Sequence, residues 1–470
     1  DQQTRIVRSQ DLSLSVEDGQ GRLLLKELEV TRVREFLRLV GLRRDARWLF
    51  DADLNGLLHD VEFTFSGPLL AMENWELSAA ASGVGFNAID PVPGMNNLRG
   101  ELNASAEGGV FEFTAEDAQF EWPKLYDREV PIESASGEFT WRINDDDTVT
   151  IGLIEGQLTD GVASITGLNA TCRLERGIET VTSFGQLFKV ESVRELSFED
   201  GLIVNTPSSL SERPLMVNAN AEFAFNDLSR FVDYLPNDSR VDKFREWSAT
   251  AFVSGEIVNG RASYRGELTR NALIVGKAQF EASADFDNAE VDYGFERDWP
   301  AAKGGRGKAT IRNQLLTITP DAINLNGDAI TDGQLHIARL FEPTRALMIQ
   351  GKTQTSLRKG MDFLFKGPLI RPENRPETLP VEVTGGSVDI DIAVEIPLDD
   401  LESTTVLGNA VVRNGKGVLP EGVPLTNVNG SVSFTERSVV SDNVRARFLG
   451  GDTYGPVSYT HLRAHETSEN

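Results

Sequence analysis

The chain has one cysteine, Cys172, only four histidines, and no apolar run long enough to cross a membrane. A single cysteine excludes an internal disulfide framework, which implies a reducing compartment or a core large enough to need no staples. Apolar runs break after about four residues, far short of the ~20 that span a bilayer as a helix. Cations are the minority charge: 46 Lys and Arg stand against 72 Asp and Glu, a formal net charge of −26 over 470 residues. So acidic a chain repels phosphate backbones, which excludes a general nucleic-acid-binding role. Enzyme signatures are missing too, with no GxSxG, HExxH, CxxC, GxxxxGK[ST] or EF-hand loop. Hydrophobic content of 40% with 25% charged residues nonetheless fits a folded chain, not a disordered one.

The residues that superficially suggest chemistry have plainer readings. Gly304-Gly305-Arg306-Gly307-Lys308 lacks phosphate-loop spacing and reads as a flexible turn opening a strand from Ala309 to Ile318. Asp145-Asp146-Asp147 is a solvated hairpin turn, since further calcium ligands at fixed spacing are missing. Asp389, Asp391 and Glu395 share one strand face with no partner group at a defined distance, which suits a wet outer face better than acid–base work. Cys172 has no activating base nearby in sequence and reads as a small buried hydrophobe. His59 and His336 are isolated and define no metal site. The expectation is a protein that is not an enzyme, with no catalytic residue, cofactor or metal.

What the sequence does have is alternation. Residues 388–396, VDIDIAVEI, place β-branched residues on one face and mostly carboxylates on the other, the pattern of a strand with one apolar and one wet side. Val61/Phe63/Phe65, Phe111/Phe113, Phe139/Trp141, Phe223/Phe225, Phe280/Ala282/Ala284/Phe286 and Val432/Phe434 repeat it. A glycine followed by alternating residues recurs at Gly100, Gly137, Gly255, Gly266, Gly307, Gly408 and Gly430 and reads as a strand-opening tag, too irregularly spaced for a solenoid. Glu107-Gly108-Gly109, Thr159-Asp160-Gly161, Asn326-Gly327 and Asn414-Gly415 supply turn chemistry between strands. Helical spacing appears only near 31–42 (Val33, Phe36, Leu37, Val40), 226–249 (Leu228, Phe231, Val232, Leu235, stopped by Pro236) and 354–365, the last interrupted by Gly360. These proportions exclude a doubly wound α/β fold.

The fold class expected is mainly β: a long, twisted antiparallel sheet curled into an open apolar groove, with a few short helices. Roughly 25–30 strands at ~4.8 Å each would make a single sheet about 120–140 Å long, which must twist and coil. Its apolar side then needs a cover. A β-sandwich supplies a second sheet, and a barrel supplies closure. An outer-membrane barrel would need aromatic girdles, which six Trp and six Tyr do not provide. A groove left open requires an apolar filler such as an acyl chain, worth ~0.8 kcal/mol per buried methylene. Residues 1–455 read as one internal segment of a continuous groove protein, because DQQTRIVRSQ has neither an initiator Met nor a signal pattern. Residues 456–470, ending SYTHLRAHETSEN, depart from the alternation and are set aside as a non-native tail.

Several passages together resemble the YhdP-like proteins of the AsmA superfamily. DLSRFVDYLP at 227–236, FREW at 244–247 and GEIVNGRASYRG at 255–266 resemble that family's helix–tryptophan–strand passage. Pro93-Gly94 with LRGEL at 98–102, FEWP at 120–123, AEVDY at 289–293 with Trp299-Pro300, IPL at 396–398, Leu419-Pro420, FTE at 434–436 and ARFLGG at 446–451 follow in family order. The resemblance covers about residues 90–455 and implies a bridge-like lipid-transfer protein. Such a protein carries phospholipid across the periplasm of a Gram-negative envelope, is anchored to the inner membrane by a segment this chain lacks, and supports the outer-membrane barrier. The implied partners are phospholipid acyl chains and unidentified inner- and outer-membrane proteins at the two ends, with the carrier a monomer and no nucleic acid involved. The residues expected to line the groove are Phe111, Phe113, Phe139, Trp141, Phe223, Phe225, Val388, Ile390, Ile392, Val394, Ile396, Val432 and Phe434. The alternative from another class is a non-catalytic β-sandwich with a structural or adhesive role in the envelope.

Overall fold

The computed structural model describes residues 5–8, 11–32, 52–67, 74–88, 93–123, 126–145, 148–175, 197–199, 202–204, 215–237, 242–269, 271–292, 301–342, 344–366, 381–400, 403–419 and 422–460. Strand makes up 73% of them, in an antiparallel sheet that does not close on itself. The chain divides into two compact units. The first holds Asp1–Phe223, Pro236–Asp238 and Ala262–Gln279, and the second Ala224–Leu235, Ser239–Arg261 and Phe280–Asn470.

The first unit is a meander of β1 (Arg5–Arg8), β2 (Leu12–Glu17), β3 (Gln20–Glu29), β4 (Asn55–Ser66), β5 (Asn74–Phe86), β6 (Gly94–Ser105), β7 (Gly108–Glu121), β8 (Val130–Ile143), β9 (Thr148–Thr159) and β10 (Ala163–Glu175). Each strand pairs antiparallel with the next. A separate hairpin, β11 (Ser197–Glu199) with β12 (Leu202–Val204), follows. The chain goes on through β13 (Met216–Phe225), a 3₁₀ helix (Leu228–Tyr234), α1 (Asp242–Ala251) and β14 (Phe252–Glu267). The second meander runs through β15 (Ala278–Val291), β16 (Ala302–Arg312), β17 (Leu315–Leu325), β18 (Asp328–Ile337), β19 (Ala346–Ser356), β20 (Glu382–Pro397), β21 (Thr405–Val418), β22 (Pro424–Thr435), β23 (Ser438–Phe448) and β24 (Gly451–Thr460). Again each pairs with the next. Between β19 and β20 lies α2 (Leu357–Lys366).

Residues in the left-handed region recur within the strands, and several of them interrupt the pairing. Asp60, Asn97, Glu155, Asn288, Asp332, Asn414 and Asn427 have φ between 48° and 58°. The register slips beside them. Such bulges bend a strand and strengthen its local twist. Asparagines on the neighbouring strand stabilise them. Asn169 Oδ1 accepts from the Glu155 amide at 3.2 Å and Asn429 Oδ1 from the Asn414 amide at 3.0 Å.

The bulges and close approaches correct several local expectations. Gly100, Gly137, Gly255, Gly266, Gly307, Gly408 and Gly430 lie inside strands and do not open them. A Cβ on Gly307 would strike the Thr319–Pro320 backbone, and one on Gly408 the Phe434 ring, so glycine is needed there for proximity. Asn414-Gly415 is a bulge within β21, not a hairpin turn. Gly304–Lys308 lies within β16, and the turn falls at Asn313-Gln314, splitting the run expected as one strand. Helix α2 passes through Gly360 unbroken, and β24 continues to Thr460, inside the stretch set aside at 456–470. Helix begins at Val30, but most of 31–42 lies outside the described residues, as do 461–470.

Candidate functional site

Cross-strand register lines up apolar residues over long distances. In the first unit Leu14, Leu23, Phe63, Leu77, Ala104, Gly109, Trp141, Ile151 and Cys172 are successive partners from β2 to β10. A parallel row holds Ala79, Leu102, Phe111, Phe139, Leu153 and Ala170. At ~4.8 Å per strand the first row is roughly 38 Å long, more than twice the ~15 Å depth of one bilayer leaflet's hydrocarbon. In the second unit Ala284, Ala309, Ile318, Leu335, Ile349, Val394 and Val406 form the equivalent row from β15 to β21.

Burial along the first unit's apolar face is graded. Toward the end where β5 turns into β6 and β7 into β8, Leu98, Ala115, Ala118 and Ile132 are buried. Toward the other end Phe63, Leu77, Phe111, Trp141 and Leu153 are part-exposed, and Phe139 keeps 37% of its surface. Their rings form a band: Phe63 with Phe65 and Trp75 at 5.8 and 6.1 Å, Phe111 with Phe113 at 6.1 Å, and Phe139 with Trp141 at 6.1 Å between centroids. Register places Phe111 opposite Phe139.

The structure therefore brings Phe111, Phe113, Phe139 and Trp141 together on one incompletely covered face. Val388, Ile390, Ile392, Val394 and Ile396 share a face of β20, with Val432 and Phe434 on β22 continuing it. Of these, Ile390, Ile392 and Val432 are part-exposed, while Val388, Val394, Ile396 and Phe434 are buried. Phe223 is part-exposed near the end of β13. Phe225 is different: it is buried edge-on against Tyr234 at 4.6 Å and Phe231 at 6.2 Å, under the 3₁₀ helix. That helix is capped by Asp227, whose side chain accepts from the Ser229 amide at 3.0 Å. Sequence reasoning missed Trp75, Leu77, Leu102, Ile151 and Leu153 in the first unit and Ile318, Leu335 and Ile349 in the second. The pairs Leu335/Ile337 and Leu347/Ile349 carried the needed alternation.

The opposite faces are wet and charged. Glu101, Glu112 and Glu138 stand directly opposite one another on β6, β7 and β8, an arrangement tolerated only in water. In the second unit Arg413 binds Asp389 through Nε and Nη2, both at 2.9 Å, and Gln354 donates to the same carboxylate at 2.8 Å. The hydrogen bonds from Arg413 and Gln354 hold the Asp389 pKa below its ordinary value. Burial pushes the Cys172 thiol up, away from nucleophilic thiolate chemistry. His59 is hydrogen-bonded to Ser82 Oγ at 2.7 Å. Among the described residues no three His, Cys, Asp or Glu side chains gather to hold a metal ion, and no helix is long and apolar enough to cross a membrane.

An open antiparallel sheet with one apolar and one charged face in each unit defines the class: a one-sided antiparallel β-sheet protein. The chain belongs to the YhdP family, whose model, described as YhdP protein, matches residues 3–457. No curated protein and no solved structure matches it.

Proposed function

We propose that this chain is part of a bridge-like carrier of phospholipid, with acyl chains lying along the apolar rows and head groups left in water. The observation that carries the reading is the unbroken register of apolar residues across nine consecutive strands, Leu14 to Cys172, with the part-exposed aromatic band beside it. Each methylene laid on that face gains ~0.8 kcal/mol, so a 16-carbon chain gains on the order of 10 kcal/mol before ordering costs. Because the rows repeat from strand to strand, the gain changes little with position, and sliding is favoured over capture at one point. The role is non-catalytic, and family membership supports a place in the periplasm between inner and outer membrane, with protein partners at both ends.

Native mass spectrometry of the protein purified without detergent tests this. Expected are mass increments of phospholipid, lost on organic extraction and regained from phosphatidylethanolamine–phosphatidylglycerol vesicles. A chain that carries no lipid and takes none up overturns the reading and favours a sheet-on-sheet structural protein.

A further inference from the structure

Helix α2 lies on the apolar face of the second unit. Its first turn reaches across several strands. Leu357 covers Gly415 on β21, where an added Cβ would meet Leu357 Cδ2 at 2.9 Å. Gly360 sits on β20, where an added Cβ would meet Val388 Cγ1 at 2.7 Å and Ile390 Cδ1 at 3.6 Å. Lys359 Nζ donates to Asn326 O at 3.0 Å and to Asp328 Oδ2 at 3.1 Å, at the turn from β17 to β18. Farther along, Phe363 packs on the cluster of Val394, Ile396, Val406 and Phe434. Beneath the first turn Val388 is only 3% exposed, whereas Ile390 and Ile392 on the same strand face are part-exposed.

The helix thus bars the face on which the proposed function places acyl chains. Its own helical stability is low. It has ten residues, too few for a helix to be stable by itself in water, and an internal glycine weakens it further. What holds it is the sheet: the part-exposed Lys359–Asp328 pair, a hydrogen bond from Arg358 Nη2 to the Val383 carbonyl, and the apolar contact of Phe363, with Phe365 buried beside it. Phe363 offers the sheet a hydrocarbon surface of the same kind as an acyl chain, so the two compete for one site.

We propose that α2 is a gate: it closes the apolar face of the second unit when that face is empty and is displaced by a passing acyl chain. This rests on the lipid-carrier reading, and the test separates the two. In a Cys172→Ser background, Gly360→Cys with Val388→Cys allows a disulfide that pins the helix to β20. Oxidised protein incubated with phosphatidylethanolamine–phosphatidylglycerol vesicles containing a pyrene-acyl phospholipid is expected to take up at least fivefold less probe than the wild type, with uptake restored by reductant. Equal uptake by oxidised and reduced protein, from a wild type that does load, overturns the gate and leaves the carrier standing. A wild type that takes up no probe overturns both. Should the cysteine pair not fold, Lys359→Glu sets like charges against Asp328. It is expected to speed probe uptake two- to fivefold, with faster amide exchange confined to 357–366, and unchanged uptake overturns the gate.

Discussion

The ring of Phe434 on β22 lies against Gly408 on β21, in the space where any other residue would carry its Cβ. Trp141 stands in the same relation to Gly109, and Phe65 to Gly21. In each case an aromatic residue rests on a glycine of the neighbouring strand, so the glycine lends its share of the apolar face to a ring. A valine at Gly408 must drive the ring off its seat. Gly408→Val is expected to destabilise by about 1–3 kcal/mol, the usual cost of overpacking. Gly455→Val, with no atom within 4 Å of the added Cβ, should stay within about 0.5 kcal/mol of the parent in urea unfolding. Equal behaviour of the two variants would show that the ring moves freely.

The bulges make a second set of expectations. Asn414 has φ 51°, and its amide donates to Asn429 Oδ1 at 3.0 Å, while Asn429 Nδ2 donates to Asn427 O at 2.9 Å. Asn414→Gly should be nearly neutral, because glycine occupies the left-handed region freely. Asn414→Val forces a branched side chain into that region and should cost about 1–2 kcal/mol. Asn429→Ala removes the bridge across the bulge and should cost roughly 0.5–1.5 kcal/mol. Urea midpoints with unchanged m-values would check all three.

The same asparagines show which parts of the fold can be read from sequence and which cannot. Period-2 alternation identified the one-sided strands, because a strand with one wet face must alternate whatever its neighbours do. For the same reason it put Val388 to Ile396 on one face of β20 and each aromatic pair of β7 and β8 on one face of its own strand. What failed was the punctuation. Asn414-Gly415 serves a bulge as well as a turn, since both need a left-handed residue, and Gly408 serves a ring instead of a strand start. Local sequence specifies backbone freedom, and only pairing shows what the freedom is for. Coverage was equally illegible: Phe225 and Phe111 alternate alike, yet the first is sealed by the 3₁₀ helix and the second is not.

Acid should weaken the charged face of the second unit in a definable window. The pKa of Asp389 is lowered by its bonds from Arg413 and Gln354, so the folded state holds the proton less tightly than the unfolded chain. The contribution is therefore complete above the unfolded carboxylate value of about 3.9 and fades as pH falls through the lower folded value. Asp389→Asn should be less stable than the parent at pH 7, and the gap should shrink toward pH 3 in parallel thermal unfolding. A gap independent of pH would assign the effect to side-chain packing and not to the ion pair.

A final comparison separates surface that lines from surface that merely fills. Ile132 is 2% exposed and Phe139 37%, although both lie on β8 of the first unit. Ile132→Asp buries an unpaired carboxylate and should cost about 3–5 kcal/mol, enough to compromise folding. Phe139→Asp and, in the second unit, Ile392→Asp place the charge where water already reaches, so roughly 1–2 kcal/mol should be lost and the fold retained. If hydrocarbon lies on that face, both variants should lose retained phospholipid in native mass spectrometry despite folding. Thr140→Asp, beside Phe139 but on the opposite face, should keep its lipid. Should Phe139→Asp unfold the protein as readily as Ile132→Asp, the aromatic band would be ordinary core, and the acyl chains would need another site.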